Sequence, residues 1–284
     1  MFERATATAK TAVWKFWISF GAFLYAVCNA VFVVATLPIA LFCPAKRRSA
    51  AMSFCLRRLL HFMFITAASP LRFVGLSRVR GAELFRRKGA VFVCNHGTLL
   101  DPMYALALIP DAGVLLKNKY GKILAIWYLV KCFDFIEIGW ASASDASVRA
   151  ELSYVLERSK RLLAEGKNYL IFPEGSRSKS GRVGEFKSLA FKLAYERGCD
   201  VVAMCVVADS PFFSKDQKGL LPPRMASYTV EGIGVLKPSD YRNADALCAA
   251  AQRMFHHKIH PAKAVPGDGS DRPGCKPGKR WWYR

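Results

Sequence analysis

The chain has 284 residues, and Lys and Arg outnumber Asp and Glu by 42 to 21, a formal charge of +21. Hydrophobic residues make up 52%, with 20 Phe and 6 Trp, which excludes a disordered basic protein, since such chains cannot bury enough apolar surface to fold. The positive excess calls for an anionic partner (nucleic acid, a phosphorylated substrate or anionic lipid), and the apolar content favours lipid.

The nine cysteines are scattered and contain no C-x-x-C pair. That usage fits small core residues in a reducing compartment better than a disulfide framework or a zinc site. From Phe16 to Ala45 run thirty residues without a charge. As a helix they extend about 45 Å, against a bilayer hydrocarbon core of about 30 Å. Pro38 and Pro44 predict a kink or an early stop, and Trp14, Trp17 and Tyr25 suit a headgroup boundary. A buried core helix is the alternative, disfavoured because soluble domains seldom bury so long an apolar run.

Between Lys46 and Lys88 stand eleven basic residues and one acid, Glu83. Leu56, Leu59, Leu60, Met63 and Phe64 alternate with Arg57 and Arg58 at helical spacing, which predicts an interfacial helix, because a second span would bury both arginines. The basic flank places this side of the first segment in the cytosol. Arg4, Lys10 and Lys15 are basic on the other flank, so spanning helix and monotopic hairpin both stay open.

The chain is divided into membrane-associated helices over 1–70, a catalytic-type domain over 71–260 and a disordered basic tail over 261–284. Val74–Leu76 reads as a strand and Gly81–Glu83 as a turn before a buried strand at 90–94. A short helix over 103–108, a strand at 114–116 and a basic loop over 117–122 follow. Next come a helix over 123–130 and a strand over 133–138. Residues 142–147 supply caps for a helix that Gly166 stops. A strand at 169–172, a helix over 185–197 and strands at 201–207 and 226–231 complete the alternation. Strands alternating with helices predict an α/β fold with a largely parallel sheet.

Two strand ends carry chemistry. Val91-Phe92-Val93-Cys94 runs into Asn95-His96-Gly97-Thr98-Leu99-Leu100-Asp101-Pro102, where Asp-Pro predicts a helix start with Asp101 as N-cap. Tyr169–Phe172 runs into Pro173-Glu174-Gly175-Ser176-Arg177-Ser178. An imidazole suits general-base work near neutral pH, so His96 is a candidate base and Asp101 a partner for its other ring nitrogen. Arg177 offers a planar fork for phosphate, and Gly175 lets backbone approach a ligand. Taken singly, Asp101 reads as a cap, His96 as a polar loop residue, and Glu174 with Arg177 as a surface pair. Their joint order at two strand ends favours a site. No G-x-S-x-G elbow is present, so nothing points to a serine acyl-enzyme.

These residues resemble the glycerolipid acyltransferases, the lysophosphatidic acid/glycerol-3-phosphate acyltransferase family. Asn95–Asp101 matches its N-H-x4-D signature, and Phe172–Ser178 its F-P-E-G-[TS]-R-S block, 78 residues downstream from histidine to glutamate. The resemblance covers roughly residues 75–235. It implies a glycerol-3-phosphate-acyltransferase-like α/β domain preceded by a hydrophobic, basic membrane-binding segment, with His96 and Asp101 catalytic and Glu174, Gly175 and Arg177 binding the acceptor. The implied enzyme moves a fatty acyl group from acyl-CoA or acyl-carrier protein to the free hydroxyl of a lysophospholipid, foremost 1-acyl-glycerol 3-phosphate. It acts at a bilayer with anionic lipids on the cytoplasmic side, with no cofactor, metal or nucleic acid. Two departures stand out. Ile138 occupies the place of an arginine that contacts acceptor phosphate, with Lys117 or Lys119 as candidates to compensate, and Ala203 replaces a proline. Ile138 favours the alternatives of another lysophospholipid or glycerol 3-phosphate as acceptor; a catalytically silent basic lipid-binding protein is the reading from a different class. His256, His257 and His260 have metal-compatible spacing without a completing carboxylate or cysteine, and a solvated helix end is the better reading.

Overall fold

A computed structural model of the chain describes residues 2–66, 75–117, 124–139, 145–178, 182–209 and 226–260. Its strands are β1 (Gly75–Arg80), β2 (Val91–Cys94), β3 (Ala112–Lys117), β4 (Ile136–Ile138), β5 (Asn168–Ile171), β6 (Val201–Ala208) and β7 (Ala226–Leu236). They form one sheet in the order β1-β7-β6-β2-β5-β3-β4. The five strands from β6 to β4 are parallel; β7 pairs antiparallel with β6 and parallel with β1. The carboxyl ends of the five parallel strands therefore share one edge, where open α/β sheets place their ligand sites.

Continuous apolar runs mark strands covered on both faces, and β2, wholly buried, is the central case. Phe92, Cys94, Leu170, Val202 and Met204 face one apolar layer, built with α2 (Ala45–Phe64), α3 (Asp101–Leu108) and α4 (Leu124–Cys132). Val91, Val93, Tyr169, Ile171, Val201 and Ala203 face the other, built with α5 (Asp145–Ala164), α6 (Leu189–Arg197) and α7 (Ala244–Ile259). The α/β architecture with a largely parallel sheet is as the alternation predicts.

Several boundaries differ from expectation. The helix expected from 185 begins at Leu189, because residues 182–188 are spent bridging to the turn after β5. Pairing at 133–138 is confined to Ile136–Ile138, and the strand expected at 226–231 runs on to Leu236. Gly166, at φ +78°, ends α5 as its position predicts. The boundary near residue 70, the caps at 142–144, Lys119 and the tail over 261–284 lie outside the described residues. Among the described residues seven cysteines are free thiols, and Cys248, which is disulfide-bonded, departs from the expectation of thiols throughout.

Helix α1 (Phe2–Phe42) continues through Pro38 without ending, and the break comes at Cys43–Pro44. Within it Ser19–Phe42, 24 residues of mean hydropathy 2.1, is long and apolar enough to cross a membrane. The leucine face of α2 is not free for an interface. Met52, Leu56, Leu60, Met63 and Phe64 are buried, and Phe64 meets the Tyr104 ring of α3 at 5.3 Å. Hydrophobic burial against α3 outcompetes a headgroup contact for this face, because a folded neighbour supplies complementary packing. The outward face of α2 carries Phe54, Arg58 and Phe62 instead. Asp134 fixes α2 to the domain, accepting hydrogen bonds from Ser49 Oγ, from Arg158 at 2.9 Å and from Lys167 Nζ at 2.5 Å.

Candidate active site

The register between β2 and β5 builds the site. Val93 pairs with Ile171, so His96 and Glu174, each three residues further on, leave the sheet side by side. The His96 N–H donates to Glu174 Oε1 at 2.8 Å, and the His96 carbonyl accepts from the Ser178 N–H at 2.6 Å. The other Glu174 oxygen accepts from the Gly184 N–H at 2.9 Å. Asn95 extends the β2–β6 ladder with its side chain: its amide donates to Val206 O at 2.9 Å and accepts from Val206 N–H at 2.8 Å. That doubly bonded, buried amide fixes the exit of β2 and so positions His96.

His96 Nδ1 lies 3.2 Å from Asp101 Oδ2. Asp101 is 1% exposed, and its carboxylate also accepts from the Thr98 N–H and hydroxyl, both at 2.7 Å. The Thr98 hydroxyl accepts in turn from the Leu100 N–H at 3.1 Å. Asp101 does not cap α3 as expected: Leu100 takes that place and Asp101 is the first helical residue, its carboxylate turned back toward the 96–98 loop. A carboxylate so held orients the imidazole through Nδ1 and leaves Nε2 for a substrate proton. The ring is backed by Phe172, 4.5 Å between centroids, and its side chain is 17% exposed, enough for one edge to meet a ligand.

Glu174 is buried, and both its oxygens are engaged by backbone N–H groups that hold the two loops together. Burial pushes its carboxyl above the ordinary carboxylate range despite those two donors, which favour the anion. A carboxyl held above its unfolded value adds stability while protonated, below the ordinary carboxylate range, and loses it as pH rises through the raised value. In Glu174→Gln one N–H faces an amide donor, a cost of about 1–3 kcal/mol, but glutamine escapes the ionisation penalty. The Tm deficit of this variant is therefore expected to shrink between acid and neutral pH in thermal melts. A deficit that grows toward neutrality would contradict this balance.

Gly175 adopts φ +67°, and a Cβ there would sit 2.7 Å from Lys187 Nζ. The close approach that glycine permits is thus made by a side chain of this protein. Arg177 lies half-buried on the same turn. Lys117 ends β3, exposed, in register with Ile138. Gly184 and Lys187, the latter inside the helix expected over 185–197, carry no sequence signal beyond their short spacing from the Phe172–Ser178 turn. Among the described residues no three or more His, Cys, Asp or Glu side chains gather as a metal site. The His256 and His260 rings lie tilted to one another, 6.4 Å between centroids, and His256 Nε2 is 3.4 Å from the Gln252 amide nitrogen.

Known proteins resemble the chain over the segment that carries this site. Residues 77–207 match the acyltransferase family model. A 1-acyl-sn-glycerol-3-phosphate acyltransferase of Cocos nucifera is 26% identical over 163 residues, 57% of this chain and 50% of that protein. The alpha form from Mus musculus is 26% identical over 210 residues, 70% of this chain and 69% of that one. A chloroplastic form from Arabidopsis thaliana is 29% identical over 170 residues, 57% and 43% of the two chains. The chain spans about half the length of several curated relatives it matches. The crystal structure of the 1-acyl-sn-glycerophosphate acyltransferase of Thermotoga maritima superposes with a TM-score of 0.64 at 18% identity, over 92% of this chain and 99% of that one, a likeness of fold. Both signature segments fall within the matched residues, at adjacent strand ends, and over 77–207 the chain is similar to the acyltransferase family, in the company of 1-acyl-sn-glycerol-3-phosphate acyltransferases.

Proposed function

We propose that this protein is a membrane-associated O-acyltransferase that moves a fatty acyl group from acyl-CoA or acyl-carrier protein to the free hydroxyl of a lysophospholipid, foremost 1-acyl-glycerol 3-phosphate, giving phosphatidic acid. The observation that carries the reading is the His96–Asp101 pair at 3.2 Å, joined to the Phe172–Ser178 turn through the His96 backbone. His96 Nε2 takes the proton of the acceptor hydroxyl as its oxygen attacks the thioester carbonyl. Asp101 stabilises the imidazolium that forms. The tetrahedral intermediate collapses with cleavage of the C–S bond, and the imidazolium returns the proton to the departing thiolate. Arg177, Gly175 and Lys117 stand at the acceptor side, and Glu174 keeps the two loops in register. The deciding experiment is acyl transfer by the full chain against lyso-acceptors with and without phosphate head groups. Turnover of no acceptor, or capture of an acylated side chain as an obligatory intermediate, would overturn it.

A second acceptor class is favoured by one observation: Ile138 removes a phosphate-contacting arginine from the family pattern. Another lysophospholipid or glycerol 3-phosphate then leads on the same panel. Membrane association is supported by the Ser19–Phe42 segment, by the exposed Phe16, Trp17, Phe20 and Phe23, and by Arg58, whose guanidinium carbon lies 5.1 Å from the Phe54 ring centroid on the outward face of α2. Aromatic and arginine side chains on one surface suit a headgroup layer with anionic lipid. The basic stretch after the apolar segment favours the cytoplasmic side for the catalytic domain. The full chain is expected to float with anionic vesicles in a density gradient and to do so less with neutral ones; equal recovery from both would remove the role given to anionic lipid.

A further inference from the structure

Residues 182–188 run between the Phe172–Ser178 turn and helix α7, and they bond to each in alternation. The N–H groups of Gly184 and Lys187 point to the turn, donating to Glu174 Oε2 at 2.9 Å and to Pro173 O at 2.8 Å. Those of Val183 and Phe186 point the other way, to His260 Nε2 at 3.4 Å and to Gln252 Oε1 at 3.3 Å. The Val183 and Phe186 side chains are buried, and the Phe186 ring meets Phe255 of α7 edge-on, 5.1 Å between centroids. Gln252, His256 and His260 stand four residues apart and so share one face of the helix end. With its carbonyl oxygen on Phe186, Gln252 presents its amide nitrogen, a donor only, to His256 Nε2 at 3.4 Å. His256 thereby fixes which way round that amide sits. Each bond from α7 is long, so the hold comes from two of them acting with the packing of Phe186. From there the contacts continue to the catalytic loop. Gly184 sits so tightly on Glu174 that a Cβ there would lie 3.0 Å from Oε2, and Glu174 Oε1 accepts from the His96 N–H at 2.8 Å.

We propose that His260 and Gln252 are positioning residues for the reaction: as a clamp on α7 they fix the 182–188 segment where Gly184 holds Glu174, and Glu174 in turn holds the His96 loop. Neither touches substrate. The three histidines singled out by their spacing then separate. His260 binds the segment, His256 orients Gln252, and His257, exposed beside them, has no part in the clamp. The effect on rate rests on the acyltransferase reading; the effect on the His96 backbone does not. Losing an acceptor for a partly buried N–H leaves that donor unsatisfied, which is what lets the segment shift.

The test uses the full chain in detergent micelles with His260→Ala, Gln252→Leu and the two combined. His260→Gln keeps an acceptor near the Nε2 position, and His257→Ala is the control. The combined variant is expected to lower kcat about 10-fold, a fraction of what a 1 Å misplacement costs. Acceptor and donor KM change little, because the Lys187–Pro173 bond still seats the turn. His260→Gln restores most of the loss seen in His260→Ala, and His257→Ala behaves as wild type. In a Glu174→Ala background, where the line of contacts is already cut, the combined substitution is expected to cost no more than about twofold further, since residues that act through one another are not additive. Hydrogen–deuterium exchange of the peptide that carries the His96 amide reads the clamp without turnover; it speeds up in the combined variant and not in His257→Ala. Where the combined variant does not fold, His260→Ala against His260→Gln makes the same comparison. Unchanged kcat with unchanged exchange at His96, whatever the Tm, would overturn the clamp, and so would the full loss repeated in the Glu174→Ala background. Wild-type protein that turns over no acceptor, with a His96 amide that is still released in the combined variant, would overturn acyl transfer and leave the clamp standing.

Discussion

His96→Ala is expected to lower kcat/KM for acyl transfer by about 10²–10⁴, the usual worth of a positioned general base. The loss falls mainly on kcat, because the imidazole acts on a proton that moves only as the acceptor oxygen attacks. Folding is expected to survive. The contacts that stitch the two loops run through the His96 backbone N–H and carbonyl, which alanine keeps. What alanine removes is the contact with Phe172 and the Nδ1 partner of Asp101, and Asp101 retains both Thr98 donors. Initial-rate assays with a matched thermal melt check this. Vesicle binding, carried by the N-terminal helices in this reading, is expected to stay unchanged. A rate within threefold of wild type would turn the chain into a lipid-binding protein that keeps the fold without the chemistry.

The sequence shows more of the strands than of the contacts between loops. A wholly apolar β2, and a β5 that is apolar after Asn168, are legible because each must be covered on both faces, and the α/β alternation follows from the spacing of such runs. The pairing of His96 with Asp101 is legible too, since five residues of a tight loop bring both to one helix start. The role of Glu174 is not. Its two partners are backbone amides of residues 96 and 184, and no residue identity announces a backbone donor. Lys187 is hidden for the opposite reason: its charge is plain, but only the path of its side chain over Gly175 distinguishes it from the other lysines. At α2 the amphipathic pattern is correct and its partner wrong. Periodicity reports that one face is buried, and a lipid surface and helix α3 ask the same pattern of it. The Asp-Pro signal likewise finds the start of α3 within a residue and misassigns the carboxylate, because Thr98 offers Asp101 two donors on the side facing His96.

Asp101→Asn separates charge from geometry at the catalytic pair. The Oδ2 position accepts from the Thr98 N–H and faces His96 Nδ1, while Oδ1 accepts from the Thr98 hydroxyl. An asparagine fits this frame in one orientation only. Its carbonyl takes the Oδ2 position and keeps both of those contacts. Its amide then faces the Thr98 hydroxyl, which can rotate to accept while it still accepts from Leu100 N–H. The opposite orientation sets an amide donor against a backbone N–H and is excluded. The loop is therefore expected to hold, with a stability loss of about 1 kcal/mol for the weakened charge-assisted bonds. Catalysis is expected to fall much further, by about 10²–10⁴, because a neutral amide cannot stabilise the imidazolium that forms as the proton leaves the acceptor. Asp101→Ala, in contrast, leaves two Thr98 donors without partners and lowers Tm as well as rate. The diagnostic result is a large rate loss in Asp101→Asn with a melting curve close to wild type. Near-normal turnover in that variant would mean that Asp101 orients His96 and contributes no charge to the reaction, the oxyanion of the tetrahedral intermediate then balancing the imidazolium.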